Sequence, residues 1–250
     1  MNIDLKKLKE IAKQKSKHSD YQILHPSISK IINDAGYSPK GRREKERFDY
    51  FIEKFSVNDL RILDIGANTG YFSFASIEDG AKFITVYEGN KSHSEFIELA
   101  SKVINVSEKI NVIDDYYSFE DVGEKFDVVF CLNVLHHIGD DFGNTNLSIN
   151  DAREKIIFNL NKLSKIGKKV FFQLGFNWKG DVNSPLFKNG EKSELIEFIK
   201  TGTRDNFYLD NIAIFNPKKN SYEELNNDLL RRFDDLGEFL NRPIFILTAI

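Results

Sequence analysis

From residue 60 onward, short apolar runs alternate with stretches of helical spacing. Arg61-Ile62-Leu63-Asp64-Ile65 reads as a strand ending at Gly66, followed by a helix over residues 70–79. A second strand is expected over 82–87, a helix over 92–104 and a third strand over 109–113. Residues 126–132 are apolar at nearly every position, the signature of a central strand covered on both faces. A helix over 149–163 leads to a fifth strand over 169–173. Strands alternating with helices predict βαβ crossovers and a parallel sheet.

The ends of the chain differ in texture. Leu5, Leu8, Ile11 and Ala12 have helical spacing with lysines between them, and a further helix is expected over 42–55, with Phe48, Phe51 and Phe55 on one face. Pro26 and residues 36–39 interrupt the pattern, and no strand signal precedes residue 60. Beyond Gln173 the rhythm breaks. Residues 175–190 read as a long loop, 192–200 as a helix, 207–215 as a strand and 222–240 as a charged amphipathic helix stopped near Asn241-Arg242-Pro243. The apolar run 244–250 reads as a buried last strand, expected to be antiparallel. The resulting expectation is an α/β, Rossmann-like, doubly wound and mostly parallel seven-stranded sheet. A helical N-terminal extension or lid would cover 1–56 and the main domain 57–250, with 173–220 a substrate-side insertion.

Composition narrows the class. In 250 residues, 41% hydrophobic and 29% charged positions exclude wholesale disorder. Lys+Arg 35 against Asp+Glu 38 leaves a net charge of −3, without the basic excess of a generic nucleic-acid or membrane binder. No apolar run approaches the ~20 residues a bilayer needs. The first residues lack the apolar core of a signal peptide, and the single Cys131 has no partner for an internal disulfide, so a cytoplasmic location is expected. The 22 Phe and 9 Tyr fit either a biased composition or an aromatic-lined pocket.

The chemistry concentrates at Leu63-Asp64-Ile65-Gly66-Ala67-Asn68-Thr69-Gly70-Tyr71-Phe72. A strand ends in an acid, a turn follows with spacing Asp-x-Gly-x-x-x-Gly, and a helix begins. Glycines admit close backbone approach, and a helix start presents free N–H groups and a positive dipole end. A dinucleotide fingerprint would instead read Gly-x-Gly-x-x-Gly. The segment resembles motif I of the class I S-adenosylmethionine-dependent methyltransferases. Glu88 at the end of the second strand, Asp114 or Asp115 at the end of the third, and Leu132-Asn133-Val134-Leu135-His136-His137 after the fourth extend the resemblance over about residues 60–173.

The resemblance implies S-adenosylmethionine as cofactor and S-adenosylhomocysteine as product. It places Glu88 on the ribose hydroxyls, Asp64 at the methionine amino end and Asp114 or Asp115 at the adenine amine. Gly66, Asn68, Gly70, Tyr71, Phe72 and Asn133 would line the same cofactor site. Arg47, with Arg43 as rival, occupies a place comparable to an arginine that meets the cofactor carboxylate in related enzymes.

His136 and His137 are the candidate catalytic bases, because histidine titrates near neutral pH. His136 with Asp140, and His137 with Asp141, also have i,i+4 metal-ligand spacing, but no third ligand is evident and no metal is expected. Asn177, Trp178 and Lys179 are candidate substrate contacts, an aromatic plate among polar groups that suits a sugar or phosphorylated metabolite. The chain is loosely similar to stand-alone methyltransferases of bacterial surface-polysaccharide pathways. O-methylation of a small polar molecule is therefore the main expectation, with nucleic acid disfavoured by the charge. The alternatives are a transfer RNA methyltransferase, since wobble-uridine modifying enzymes share a similar layout, and a non-catalytic cofactor-binding paralogue.

Overall fold

The computed structural model describes residues 3–14, 18–19, 21–32, 39, 41–120 and 123–250. Residues 36–38, most of the interruption read from the sequence, lie outside them. The chain forms two compact units, Met1–Tyr117 and Ser118–Ile250.

The first unit contains α1 (Ile3–Ile11), α2 (Pro26–Ile32), α3 (Glu44–Lys54), β1 (Arg61–Ile65), α4 (Tyr71–Glu78), β2 (Phe83–Tyr87), α5 (Lys91–Val103) and β3 (Ile110–Ile113). Its strands run in the order β3-β2-β1, both pairings parallel, with Asp64 opposite Val86 and Ile65 opposite Tyr87. The βα alternation read from the sequence is thus present, with element ends shifted by a residue or so. Pro26 opens α2 instead of merely breaking a pattern, because its missing N–H falls where a helix has no intrahelical acceptor. α1 packs on α5 and places Leu8 fully inside, while α3 buries Phe48 and Phe51 against Phe72 of α4.

The second unit contains β4 (Phe126–Leu132), α6 (Ile149–Leu163), β5 (Gly167–Gln173), α7 (Lys192–Thr203), β6 (Phe207–Asn216), β7 (Ser221–Glu224), the one-turn helices α8 (Asn227–Leu230) and α9 (Gly237–Leu240), and β8 (Ile244–Ala249). The order is β4-β5-β8-β6-β7; β4 and β5 are parallel, and β8 runs antiparallel between β5 and β6. That central position explains the apolar terminal run, since Ile244, Phe245, Ile246 and Leu247 are all buried. A Ser148–Asp151 capping box fixes the start of α6 where the sequence placed it.

Two expectations are corrected here. Eight strands are described instead of seven, and the helix expected over 222–240 is absent. Residues 221–224 pair with β6 as an edge hairpin, burying Tyr222 against Phe215. Asn226 then caps α8 by accepting from the Leu229 N–H, and Asn241 ties the next turns by donating to the Phe233 and Gly237 carbonyls. Asparagine side chains that bond nearby backbone favour caps and turns over helix interiors. Among the described residues, no helix is long and apolar enough to cross a membrane.

The seating of Leu8 has a measurable consequence. Leu8→Ala should destabilise the protein by about 2–5 kcal/mol in urea unfolding. A loss below ~0.5 kcal/mol would show that α1 adds nothing to the core of the first unit.

Candidate active site

The turn after β1 is built from alternate left-handed residues: Gly66, Asn68 and Gly70 have φ of 68°, 57° and 79°. Asparagine tolerates this region better than most side chains, so Asn68 can stand between the glycines. At Gly70 the constraint is double, because a Cβ would also lie 2.9 Å from the Phe74 ring and 3.1 Å from Ile97. The Gly66 N–H donates to the Tyr87 carbonyl, tying the turn to the end of β2.

Two carboxylates are buried around this turn. Asp64 accepts from the Ser73 hydroxyl at 2.6 Å, and burial pushes its pKa up to about 6. Glu88 accepts from the Asn68 N–H at 2.6 Å and the Asn90 N–H at 2.8 Å. Burial pushes Glu88 up to about 7, with the two amides opposing that shift and the neighbouring Asp64 charge adding to it. His93 lies 3.9 Å from Glu88, and burial holds it down at about 4, so near neutral pH it is an uncharged neighbour. A carboxylate offers about four acceptor positions, so two backbone donors leave Glu88 capacity for a ligand's hydroxyls.

The other candidates of the first unit sit close to this frame. Arg47 is buried, 3.8 Å from Glu44, with its guanidinium 5.0 Å from the centre of the Phe72 ring. Its rival Arg43 is half-exposed and pairs with Glu46 at 3.4 Å. Tyr71 and Phe72 open α4 and are buried, and burial raises the Tyr71 phenol to about 12, keeping it neutral. Asp114 is fixed by the Ser94 hydroxyl at 2.7 Å, whereas Asp115 folds back on the Tyr116 N–H. The anchored acid is therefore Asp114.

In the second unit, Asn133 follows β4 in a left-handed conformation with φ 64°. Its amide donates to Gln173 Oε1 at 2.8 Å and its oxygen accepts from Arg242 Nη1 at 2.7 Å. Arg242 also pairs with Glu238, which accepts from the Phe176 N–H at 2.8 Å, and the Arg242 carbonyl accepts from Gln173 Nε2. One donor and one acceptor position of the Asn133 side chain are thus committed within the protein.

The two histidines differ. His136 is buried, and its Nδ1 accepts from the Gly175 N–H at 3.3 Å, which leaves the ring proton of the neutral form on Nε2. Gly175 is required there, since a Cβ would come within 2.8 Å of that ring. His137 is 15% exposed, and its Nδ1 lies 3.8 Å from Asp140 and 3.6 Å from Asp141. The chain here forms a single 3-10 turn, Leu135–His137, instead of an α-helix, and His136 faces Gly175 instead of Asp140.

Trp178 is buried at 8% exposure, and its indole N–H donates to the Ile138 carbonyl at 2.6 Å. The Lys179 ammonium sits 4.2 Å from the centre of its ring. The side chain expected as an open sugar plate therefore braces its own loop, because a buried indole N–H needs a partner and finds one there. Asn177 and Lys179 remain partly exposed.

Several residues at these sites went unread in the sequence: Gln22, Ser73, Ser94, Glu238 and Arg242. None lies in a motif, and each acts through a contact distant in the chain. The first unit as built, with buried carboxylate acceptors at 64 and 88 around the turn, fits a ligand carrying both hydroxyl and ammonium groups. S-adenosylmethionine is such a ligand.

No family model matches the chain. A tRNA U34 carboxymethyltransferase of Sulfurimonas denitrificans is 32% identical over 101 residues, 39% of this chain and 33% of that protein. One of Helicobacter acinonychis is 30% identical over 114 residues, 44% of this chain and 41% of that protein. The matched region thus spans less than half the length of these curated relatives. Among solved structures, the bifunctional kinase-methyltransferase WbdD superposes with a TM-score of 0.58 at 16% identity, over 98% of this chain and 46% of that one. Magnesium protoporphyrin IX methyltransferase of Synechocystis PCC 6803, with S-adenosylmethionine bound, gives 0.56 at 12% identity over 100% and 99%. The chain therefore has the α/β fold of the class I methyltransferases, with eight strands among the described residues.

The raised acids predict a pH signature. Folded-state pKa values above the unfolded ones mean that the stability from Asp64 and Glu88 is complete below about pH 4 and is lost as pH rises through about 6 to 7. A ligand whose hydroxyls donate to ionised Glu88 reverses that trend locally. Its affinity should rise between pH ~6 and ~8, with protons released on binding, as read by calorimetry in buffers of different ionisation enthalpy. Near pH 7, where Asp64 is already largely ionised, Glu88→Gln should abolish the release; release unchanged there in that variant would move the titration elsewhere.

Proposed function

We propose that the protein is an S-adenosylmethionine-dependent methyltransferase acting on transfer RNA. The observation that carries the donor half is Glu88 at the end of β2, buried yet bonded to the Asn68 N–H of the glycine turn. In this reading Glu88 accepts from the ribose hydroxyls, Asp64 serves the methionine amino end and Asp114 meets the adenine amine. Arg47 is assigned to the cofactor carboxylate. Bound S-adenosylmethionine supplies an electrophilic methyl on a sulfonium centre. The protein contributes alignment, exclusion of water and a destination for the acceptor's proton.

For the acceptor, the support comes from the relatives, which are named for transfer RNA position U34. Their name also admits carboxymethyl as the group moved. The earlier expectation of a small polar acceptor retains one argument, the net charge of −3. A whole-chain charge near neutrality does not prevent a few local lysines and arginines from meeting phosphates.

On a hydroxyl acceptor, the chain's own contribution would be a base positioned to take the proton that the acceptor oxygen loses as it gains the methyl. His137 is the better base, since the Nδ1 of buried His136 already accepts from Gly175.

Total transfer RNA incubated with the protein and labelled donor should take up label, and mass spectrometry of the digested nucleosides distinguishes methyl from carboxymethyl. Label passing to sugar nucleotides instead would establish the small-molecule reading. Binding of S-adenosylhomocysteine with no transfer to either would leave a cofactor-binding protein without catalysis. Glu88→Ala should weaken binding of the product about 10-fold or more. His137→Ala should cut turnover about 100-fold with cofactor affinity intact; equal turnover would remove it from the chemistry.

A further inference from the structure

Gln22 lies 47 residues before the turn it touches and belongs to no motif. It is buried, and its Oε1 accepts two hydrogen bonds at once. One comes from the Thr69 hydroxyl at 2.9 Å, the other from the Tyr71 N–H at 2.9 Å, the first amide of α4. A second contact from the same stretch, Asn68 Nδ2 to the His18 carbonyl at 3.1 Å, holds the residue just before. Thr69 in turn donates its N–H to Asn68 Oδ1 at 2.9 Å. Three groups of the turn, at Asn68, Thr69 and Tyr71, are therefore held from the N-terminal segment.

This matters because the turn alternates left-handed and ordinary residues, a backbone that persists only where its surroundings over-determine it. Asn68 is the non-glycine among the left-handed positions, and its N–H is the one that bonds Glu88. Loosening the turn would rotate that amide away from the carboxylate. A carboxylate buried beside Asp64 and short of one donor would then favour its protonated form, which accepts fewer hydrogen bonds.

We propose that Gln22 is a positioning residue of the cofactor site, holding the turn over residues 68–71 so that Glu88 faces the ligand as an acceptor. The assignment rests on the reading of this cleft as the S-adenosylmethionine site. Its oxygen is the working atom, so an acceptor of the same length should replace it and an apolar side chain should not.

The test uses the full chain with S-adenosylhomocysteine as titrant. Gln22→Leu should raise the dissociation constant roughly 10-fold, about 1.4 kcal/mol, with the melting temperature changed little. Gln22→Glu, which keeps the acceptor, should stay within about 3-fold of the unmodified protein, a factor of roughly 0.7 kcal/mol. Thr69→Val should weaken binding too, and the double variant should be no worse than Gln22→Leu alone, since the Thr69 bond is one of the two that Gln22→Leu already removes. The pH range over which binding releases protons should move upward in Gln22→Leu, where Glu88 is short of a donor, which a loss of packing alone would not produce. Equal affinity in Gln22→Leu overturns the assignment while leaving the cofactor reading intact, and so do equal losses in the Leu and Glu variants. No binding by the unmodified protein overturns the cofactor reading and this assignment with it.

Discussion

The Glu88 carboxylate, buried and held by two backbone amides, is the interaction on which the first unit's site depends. A buried carboxylate is costly unless it is hydrogen-bonded. Here the donors are the N–H of Asn68, after β1, and the N–H of Asn90, which caps α5. One side chain therefore fixes the turn after one strand relative to the turn after the next. The parallel register of β1 and β2, with Ile65 opposite Tyr87, is what brings these turns into reach. The raised pKa of Glu88 follows from the same burial, as does its suitability for a ligand that donates hydrogen bonds.

The second unit solves a similar problem with side chains instead of backbone. Asn133, Gln173, Glu238 and Arg242 form a closed polar network just past the ends of β4 and β5. Networks of this kind rigidify when every member is satisfied. This one engages one donor and one acceptor position of Asn133. His136 is likewise spent on the Gly175 amide and Trp178 on the Ile138 carbonyl. Several residues that a sequence reading assigns to ligands thus also make contacts within the framework.

Legibility followed the range of the interactions. The β1 strand, the turn at Asp64 to Gly70, and α6 were readable because periodicity, glycine spacing and a capping box act within a few residues. The region 222–240 misled because its hydrophobic spacing is compatible with a helix. The pairing with β6 that makes residues 221–224 a strand is not written locally. Trp178 looked like an open plate because a lone tryptophan among polar residues gives no sign of the carbonyl that buries it. The Ser94 hydroxyl bonds Asp114 and not Asp115, a contact between residues twenty apart that spacing gives no sign of.

The sequence alone determined the alternation of strands and helices and the positions of Asp64 and Glu88 at strand ends. Glycine conformation, strand period and helix caps are local properties of the chain. Only the tertiary structure decided which polar groups remain available to a ligand and which are consumed. Gln22 bonding Tyr71, Arg242 bonding Asn133 and His136 meeting Gly175 are contacts between distant residues. Burial, which sets both the pKa of a carboxylate and the need for a partner, exists only once the chain has folded around it.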